Sequence, residues 1–331
     1  MKSKIENFLL YCKNTDFGAS TFSKMESSFY RRFSNEIVLL CRSLPECAQT
    51  DSMLFLIQYS GMNLGDEIDF FANYYPPAWS ILYWLSHDYT LPTERLEERD
   101  VTNAVRAQSM AMFLHSLDDH LTDSQVSVSH LTLLLRSQAW TIMNRAIHNL
   151  ARSVPAGRRT VQSFIENYYS SIRDSEGLKS LESYCDLFRR QMALGMIAPI
   201  LLSMKMTGTS DFTRDIEIAY GSFGIAWRLL DDIRDIGDDI EKGAHTAIYL
   251  CLPKKVRTHW NNNTIRSRAA AKDCTNAIVN HIQEHGLIDK IKERICAELE
   301  TAASIAEAYD ITGFAHEFRC LAHPLRISGN I

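Results

Sequence analysis

Glycine and proline are scarce, 14 and 8 in 331 residues, and strict apolar/polar alternation over strand lengths is hard to find. So few breakers, with no period of two, argue against sheets and for helices. No uninterrupted apolar run approaches the ~18 residues of a membrane helix; "MIAPILLSM" near 200 and "YYPPAWSILYWL" near 80 both fall short, so no stable membrane insertion is expected. The opening "MKSKIENFLLYCKNTD" closes its apolar patch at once with Cys12, Lys13 and Asn14, too early for a secretory signal. The eight cysteines form no C-x-x-C pair, which points to reduced thiols and a cytoplasmic setting. A formal net charge of -5 leaves no basic surplus for a nucleic-acid backbone.

What is present is apolar periodicity. Hydrophobic residues make up 46% and charged residues 23%, enough to bury a sizeable core. Spacing at i, i+3, i+4 runs through 20–44, 78–88, 101–123, 129–150, 160–173, 178–206, 212–242, 265–285 and 287–309. Short breakers such as "SLPE", "YYPP", "SVPAG", "KGAH" and "EHG" separate these stretches. No linker divides them. The pattern predicts one all-α domain over 1–331, a bundle of about ten helices around a central cavity.

The stretch "RLLDDIRDIGDDIEKG" places Asp231, Asp232, Asp235, Asp238 and Asp239 close together. On one continuous helix, with Asp231 at zero, Asp235 falls near about 40°, Asp239 about 80°, Asp232 about 100° and Asp238 about 340°. The carboxylates share one arc; Leu229, Ile233, Ile236 and Ile240 take the opposite side. An amphipathic surface helix would explain that division. Yet Asp is a poor helix former and like charges at i, i+4 repel, while the preceding "AYGSFGIAWRLL" is apolar nearly all round, as in a helix buried on every side. The acidic arc is therefore expected to line a cavity, where clustered carboxylates need cations and hard oxygen ligands suit Mg²⁺.

A second cluster, Asp118, Asp119 and Asp123 in "HSLDDHLTDSQ", again ends an apolar helix. Two such clusters facing one cleft would form a metal cage. Mg²⁺ takes a few carboxylates together with phosphate oxygens and water, so the implied ligand is a diphosphate.

At these residues the chain resembles the class I isoprenoid synthase superfamily, the all-α fold of trans-prenyl diphosphate synthases, squalene/phytoene synthases and class I terpene cyclases. "DDHLTD" stands for the first aspartate motif and "GIAWRLLDDIRDIGDDIEKGAHTAIYLCLP" for the second. The latter is most similar to the squalene/phytoene synthase pattern, with Arg234, Asp235, Gly237, Asp238, Asp239, Gly243, Tyr249 and Pro253 in register or close to it. Arg228 and Asp231 depart from it, standing where that pattern has Gln and Asn. The G-G-K-R patch of chain-elongating prenyltransferases is missing, as is the Lys-Thr pair of a central helix, near which Gln191 and Met192 stand; no Lys at all occurs between Lys24 and Lys179. These departures disfavour five-carbon chain elongation.

The resemblance implies Mg²⁺, two or three ions bound with the substrate diphosphate, held by Asp118, Asp119 and Asp123 on one wall and Asp231, Asp232, Asp235 and Asp239 on the other. Arg228 and Lys242 fall inside the acidic arc and are candidates to bind the diphosphate. A diphosphate-sensing Arg before a helix break is carried over to Arg190, with Arg189 as its rival; the bend is expected from Gly195 and Pro199. For the prenyl pocket, the resemblance selects Met112, Phe113 and Ser116, where Phe113 would limit tail length. Trp227, Phe188, Tyr184 and the run Tyr74, Tyr75, Trp79, Tyr83, Trp84 are either cation-stabilising faces or core filling.

The expected substrate is a C10 to C20 allylic prenyl diphosphate. Cyclisation or elimination, as in a terpene synthase, is the first expectation because acceptor-diphosphate features are absent. Prenyl transfer is the alternative, either head-to-head coupling or alkylation of a non-prenyl acceptor. A non-enzymatic binding module is the third. A homodimer stays open as the assembly.

Overall fold

The computed structural model describes residues 4–63, 65–87, 96–173, 178–207, 210–262 and 268–327, with the side chains of 173, 207, 210 and 268–272 excepted. Positions 88 and 265–267, within two of the expected helices, lie outside them. Among the described residues there are sixteen helices and no strand. The first half of the chain forms α1 (Lys4–Lys13), α2 (Lys24–Arg42), α3 (Glu46–Tyr59), α4 (Pro77–His87), α5 (Glu98–Thr122), α6 (His130–Ala151) and α7 (Gly157–Arg173). Then come α8 (Leu181–Gln191), α9 (Ala193–Thr207), α10 (Ser210–Arg234), α11 (Ile236–Lys242), α12 (Ala247–Cys251) and α13 (Lys254–Asn262). The chain closes with α14 (Arg268–Glu284), α15 (Leu287–Ala308) and α16 (Thr312–Ile327).

The all-α expectation holds, and the larger number of helices has local causes. The stretch 178–206 breaks at Met192 and 212–242 at Asp235, each run giving two helices. The first break falls at Met192 rather than at Gly195 or Pro199, which both lie inside α9. Five helices, α1, α3, α12, α13 and α16, lie outside the expected stretches. In α3, for example, only Ser52 and Leu56 are buried.

Starts are set by polar side chains. Ser23 and Glu26 close a reciprocal capping box on α2, as Ser129 and Thr132 do on α6. At the start of α5 the buried Asp100 accepts from Lys205 of α9 at 2.6 Å, which fixes the height of one helix against the other. Halfway along, Gln108 donates to Ala78 O at 2.7 Å and to the Tyr220 hydroxyl at 2.9 Å, tying α4, α5 and α10 together.

The core runs along α5, α9 and α10, with α10 packed most extensively on α15 and α15 on α16. Trp79, Trp260, Phe33, Phe223 and Phe318 are fully buried, each contributing roughly 1.5–3 kcal/mol or more by removal of apolar area from water. α16 lies against α4 through one close approach: a Cβ on Gly313 would stand 2.1 Å from Cη2 of Trp84. There the backbone of α16 itself forms the surface that the indole covers. Nearby, the buried Glu317 accepts from Ser80 and from Trp84 Nε1, the latter at 2.8 Å. Among the described residues no helix is long and apolar enough to cross a membrane.

Candidate active site

α5 and α10 each carry an apolar helix body that ends in aspartates, and side-chain contacts between them, Gln108 to the Tyr220 hydroxyl at 2.9 Å and His115 beside Trp227, set the two acidic ends at one mouth. Asp119 and Asp123 are exposed at the end of α5. Asp231 stands near the end of α10, Asp235 at the break, and Asp238 and Asp239 in the first turn of α11. The i, i+4 hydrogen bonds from Asp235 N to Asp231 O and from Asp239 N to Asp235 O, both 2.9 Å, carry the helical phase across the break. Gly243 then stops α11 at φ +71, a left-handed cap that glycine adopts without steric cost.

Asp119, Asp231, Asp235 and Asp239 act electrostatically on one another at this mouth and Asp123 is exposed one turn beyond Asp119, whereas Asp118 and Asp232, also expected there, are held by other partners. Asp118 is gripped by Arg136 of α6, Nε to Oδ1 at 2.5 Å and a second nitrogen to Oδ2 at 2.9 Å. Asp232 is 1% exposed. Its Oδ1 accepts from the Tyr184 hydroxyl at 3.0 Å and pairs with Arg228 Nε at 3.1 Å, while Oδ2 accepts the Ala247 amide at 2.8 Å. Ala247 opens α12, and Thr246 before it makes no side-chain cap. Asp232 therefore caps that helix from a distance, satisfying one of the amides a helix start leaves open. The helical wheel placed it at the edge of the acidic arc, and that edge is where α8 and α12 close over α10.

The electrostatics of the remaining cluster are those of crowded like charges. Burial pushes the Asp239 carboxyl up to about 7, with Asp232, Asp235 and Asp231 adding repulsion against the pull of Arg228. Burial pushes Asp231 up to about 6; Arg228 opposes this, and Asp235, Asp232 and Asp119 reinforce it. Asp119 acts on Asp231 from the other helix, so the two motifs sense one another. Among the described residues, no three Asp, Glu, His or Cys side chains converge on one ion-sized position. An all-protein cage is thus not what the residues build. The donor set is nonetheless all carboxylate, divided between two walls and short of positive charge. It suits Mg²⁺, which completes its octahedron with water and phosphate oxygens.

Around the mouth, Arg228 Nε donates to the Tyr184 hydroxyl at 2.7 Å, its guanidinium lies over the rings of Tyr184 and Phe188 at 5.9 and 5.8 Å, and one terminal nitrogen is 3.4 Å from Asp231. Tyr184 and Phe188 accordingly hold Arg228 in place and do not line the cavity beneath. Arg189 turns away: it pairs with Asp186 at 2.6 Å, and its stem covers Gly221 on α10. Arg190 is half-buried near the end of α8 and Lys242 is exposed at the end of α11. Arg234, 41% exposed, bonds the Tyr75 hydroxyl at 3.1 Å, and Tyr75 in turn donates to Asp16.

Below the mouth lies a cavity of about 20 Å³ between α4, α5, α9 and α10, walled by Met112, His115, Met192, Tyr220, Trp227 and Tyr74 among others. Its bore is narrow, with free room for little more than one water molecule. Of the residues expected around a prenyl pocket, Met112 and Trp227 are in this wall. Phe113 and Ser116 are not in the wall: Phe113 is packed in the core at 5% exposure, and Ser116 shares a hydrogen bond with Tyr74. Trp79 and Tyr83 are also core residues. Stepping back from Asp119 by four, seven and eight residues gives His115, Met112 and Ala111, all wall residues; six steps give Phe113, about 120° off that face. That count was available in the sequence and would have found His115. A separate surface hollow of about 380 Å³, lined by Arg99, Asn103, Asn149, Arg152 and Ser153, holds none of the expected site residues.

No protein-family model matches the sequence, and no curated protein matches it. Solved structures do. The chain is similar to geranylgeranyl pyrophosphate synthetase from Pyrococcus horikoshii, with 12% identity, a TM-score of 0.64 and 98% of this chain and 99% of that one covered. It is also similar to geranylgeranyl pyrophosphate synthase from Corynebacterium glutamicum, crystallised with isoprenyl diphosphate and magnesium, at 15% identity and a TM-score of 0.60 over 93% of this chain and 99% of that one. A polyprenyl synthase from Caulobacter crescentus, with calcium and isoprenyl diphosphate, matches at 12% identity and a TM-score of 0.57 over 97% and 98%. At these identities the likeness establishes the fold: the chain has the all-α fold of class I isoprenoid synthases.

Proposed function

We propose that the chain is a Mg²⁺-dependent enzyme that ionises an allylic prenyl diphosphate and transfers the prenyl group to an acceptor. The observation that carries this reading is the pairing of Asp119 and Asp231, from two helices, at the mouth of an aromatic-walled cavity. Asp119, Asp123, Asp231, Asp235 and Asp239 would hold the ions, and Asp118 and Asp232 would position their neighbours. Once bound, the ions supply the positive charge that makes diphosphate a good leaving group. Arg228, fixed by Tyr184 and Asp232, presents its guanidinium to the same space and would bind diphosphate oxygens. Lys242 and Arg190 are further candidates for that role, whereas the Asp186 pair argues against Arg189. The tail would enter between Met112 and Met192, unbranched side chains that can give way, with the face of Trp227 towards the cation.

Prenyl transfer is preferred to cyclisation because the similar folds named above are those of prenyl diphosphate synthases. The absence of lysine from 25 to 178 argues against a five-carbon diphosphate as acceptor. Cyclisation or elimination is the second reading, favoured by the aromatic side chains Tyr74, Tyr168, Tyr220 and Trp227 in the lining. The test is incubation with C10, C15 and C20 allylic diphosphates and Mg²⁺, with and without isopentenyl diphosphate or an aromatic acceptor. Turnover that requires an acceptor supports transfer; hydrocarbon formed without one supports cyclisation or elimination. No diphosphate release under any condition overturns both.

A further inference from the structure

We propose that His115 is the proton acceptor of the reaction, taking up the proton released when the prenyl cation, or its adduct with an acceptor, collapses to an alkene. This rests on the reading that an allylic diphosphate is ionised at the mouth above it.

Position comes first. His115 lies one helical turn before Asp119 on the same face of α5, so it sits where the apolar cavity meets the acidic mouth. Its ring centroid is 6.3 Å from that of Trp227, its neighbour in the cavity wall. A cation formed at the mouth and held against the indole therefore has this imidazole at its side.

The other wall residues offer no comparable base. The Tyr74 hydroxyl donates to Met112 O at 2.7 Å, and that of Tyr220 donates to Ala78 O at 3.2 Å while accepting from Gln108. Burial pushes the phenols of Tyr74 and Tyr220 far up, and that of Tyr168 up to about 12, so all three stay protonated. Gln191, Met112 and Met192 carry no basic nitrogen. Imidazole alone among the described wall side chains has a basic lone pair near neutrality.

Its surroundings keep that lone pair free. Burial pushes the His115 pKa down; Asp119 and Asp118 pull it up, and Arg228 and His120 reinforce the fall. His120 itself is bonded to the Tyr59 hydroxyl through Nδ1 at 2.7 Å. A neutral ring does not repel a carbocation, and so strong an acid needs only a weak base within reach.

The step balances. The allylic C–O pair leaves with diphosphate, and the C–H bond beside the cationic carbon then breaks. Its pair forms the new alkene bond and its proton goes to a ring nitrogen of His115, then to solvent through the mouth. The sum is alkene, diphosphate and one proton.

The experiment compares the parent with His115→Asn and, as a second variant of greater length, His115→Gln. Each is incubated with Mg²⁺ and the allylic diphosphate that the parent turns over fastest, and diphosphate release and the alkene-to-alcohol ratio are measured. Affinity for a non-ionisable thiodiphosphate analogue reports an intact site. The expected result is diphosphate release within about threefold of the parent, unchanged analogue affinity, and at least a tenfold fall in the alkene-to-alcohol ratio as water captures the cation. An unchanged ratio in a folded variant that binds the analogue overturns the proposal alone. A parent that releases no diphosphate overturns the underlying reading and the proposal with it.

Discussion

Asp232 Oδ2 accepts the Ala247 main-chain amide at 2.8 Å, so a carboxylate of the second aspartate motif serves as the start of another helix. Its neighbour Asp231 is 46% exposed at the mouth. Asp232→Asn would leave the Arg228 guanidinium with a weaker partner and α12 with a poorer cap. Breaking a buried pair costs about 3–5 kcal/mol. A fall in Tm of on the order of 5–10 °C is expected by calorimetry, against about 1 °C for Asp231→Asn, which should instead abolish Mg²⁺-dependent turnover. Equal Tm values for the two variants would place Asp232 among the ligands.

The first motif divides in the same way. Arg136 occupies both oxygens of Asp118, whereas Asp119 stands exposed. Asp119→Asn is expected to reduce turnover at least a hundredfold and to raise the Mg²⁺ concentration for half-maximal activity. Asp118→Asn should cost less than tenfold, and Arg136→Ala should resemble it. A Mg²⁺ titration of all three decides.

Glu317 gives the chain a pH signature away from the site. Burial pushes its carboxyl up to about 7, against the hydrogen bonds from Ser80 and Trp84, while an unfolded Glu ionises near 4.5. Between these values the native state keeps a proton that the unfolded chain has lost, so this group's contribution to stability falls as pH rises from 4.5 to 7 and is flat on either side. The total is on the order of 3 kcal/mol. Glu317→Gln keeps an acceptor for Trp84 and should remove that slope, making the variant more stable than the parent at pH 8. Urea melts from pH 4 to 8 would show a parallel slope in both proteins if the assignment were wrong.

Tail length should respond to Met112 and not to Phe113. Met112→Ala widens the cavity and is expected to shift preference towards longer allylic diphosphates, read as kcat/KM ratios for C20 against C10. Phe113→Ala opens a void elsewhere, costs roughly 3–5 kcal/mol of stability, and should leave that ratio unchanged.

What is legible in the sequence is what one helix alone fixes. The paired aspartates, the apolar bodies before them and the Gly243 stop follow from spacing along a single element. Tertiary partners decided the rest. Nothing in "DDHLTD" says that Arg136, eighteen residues on, takes Asp118. Nothing in "RLLDDI" says that the start of α12 will need Asp232. The pocket wall has a different cause: it follows the 3.6-residue phase from Asp119, which includes Met112 and leaves out Phe113 and Ser116.

The contact between Gly313 and Trp84 bears on how this sequence can change. Because any Cβ at 313 would lie inside the indole, no single step replaces that glycine while the tryptophan remains. A chain could acquire a larger residue there only after position 84 had shrunk, and the intermediate would carry a gap beside the charge-sensitive Glu317. Accessible mutational routes through this helix pair therefore run in one order, which a library varying both positions together would reveal as a missing quadrant of viable combinations.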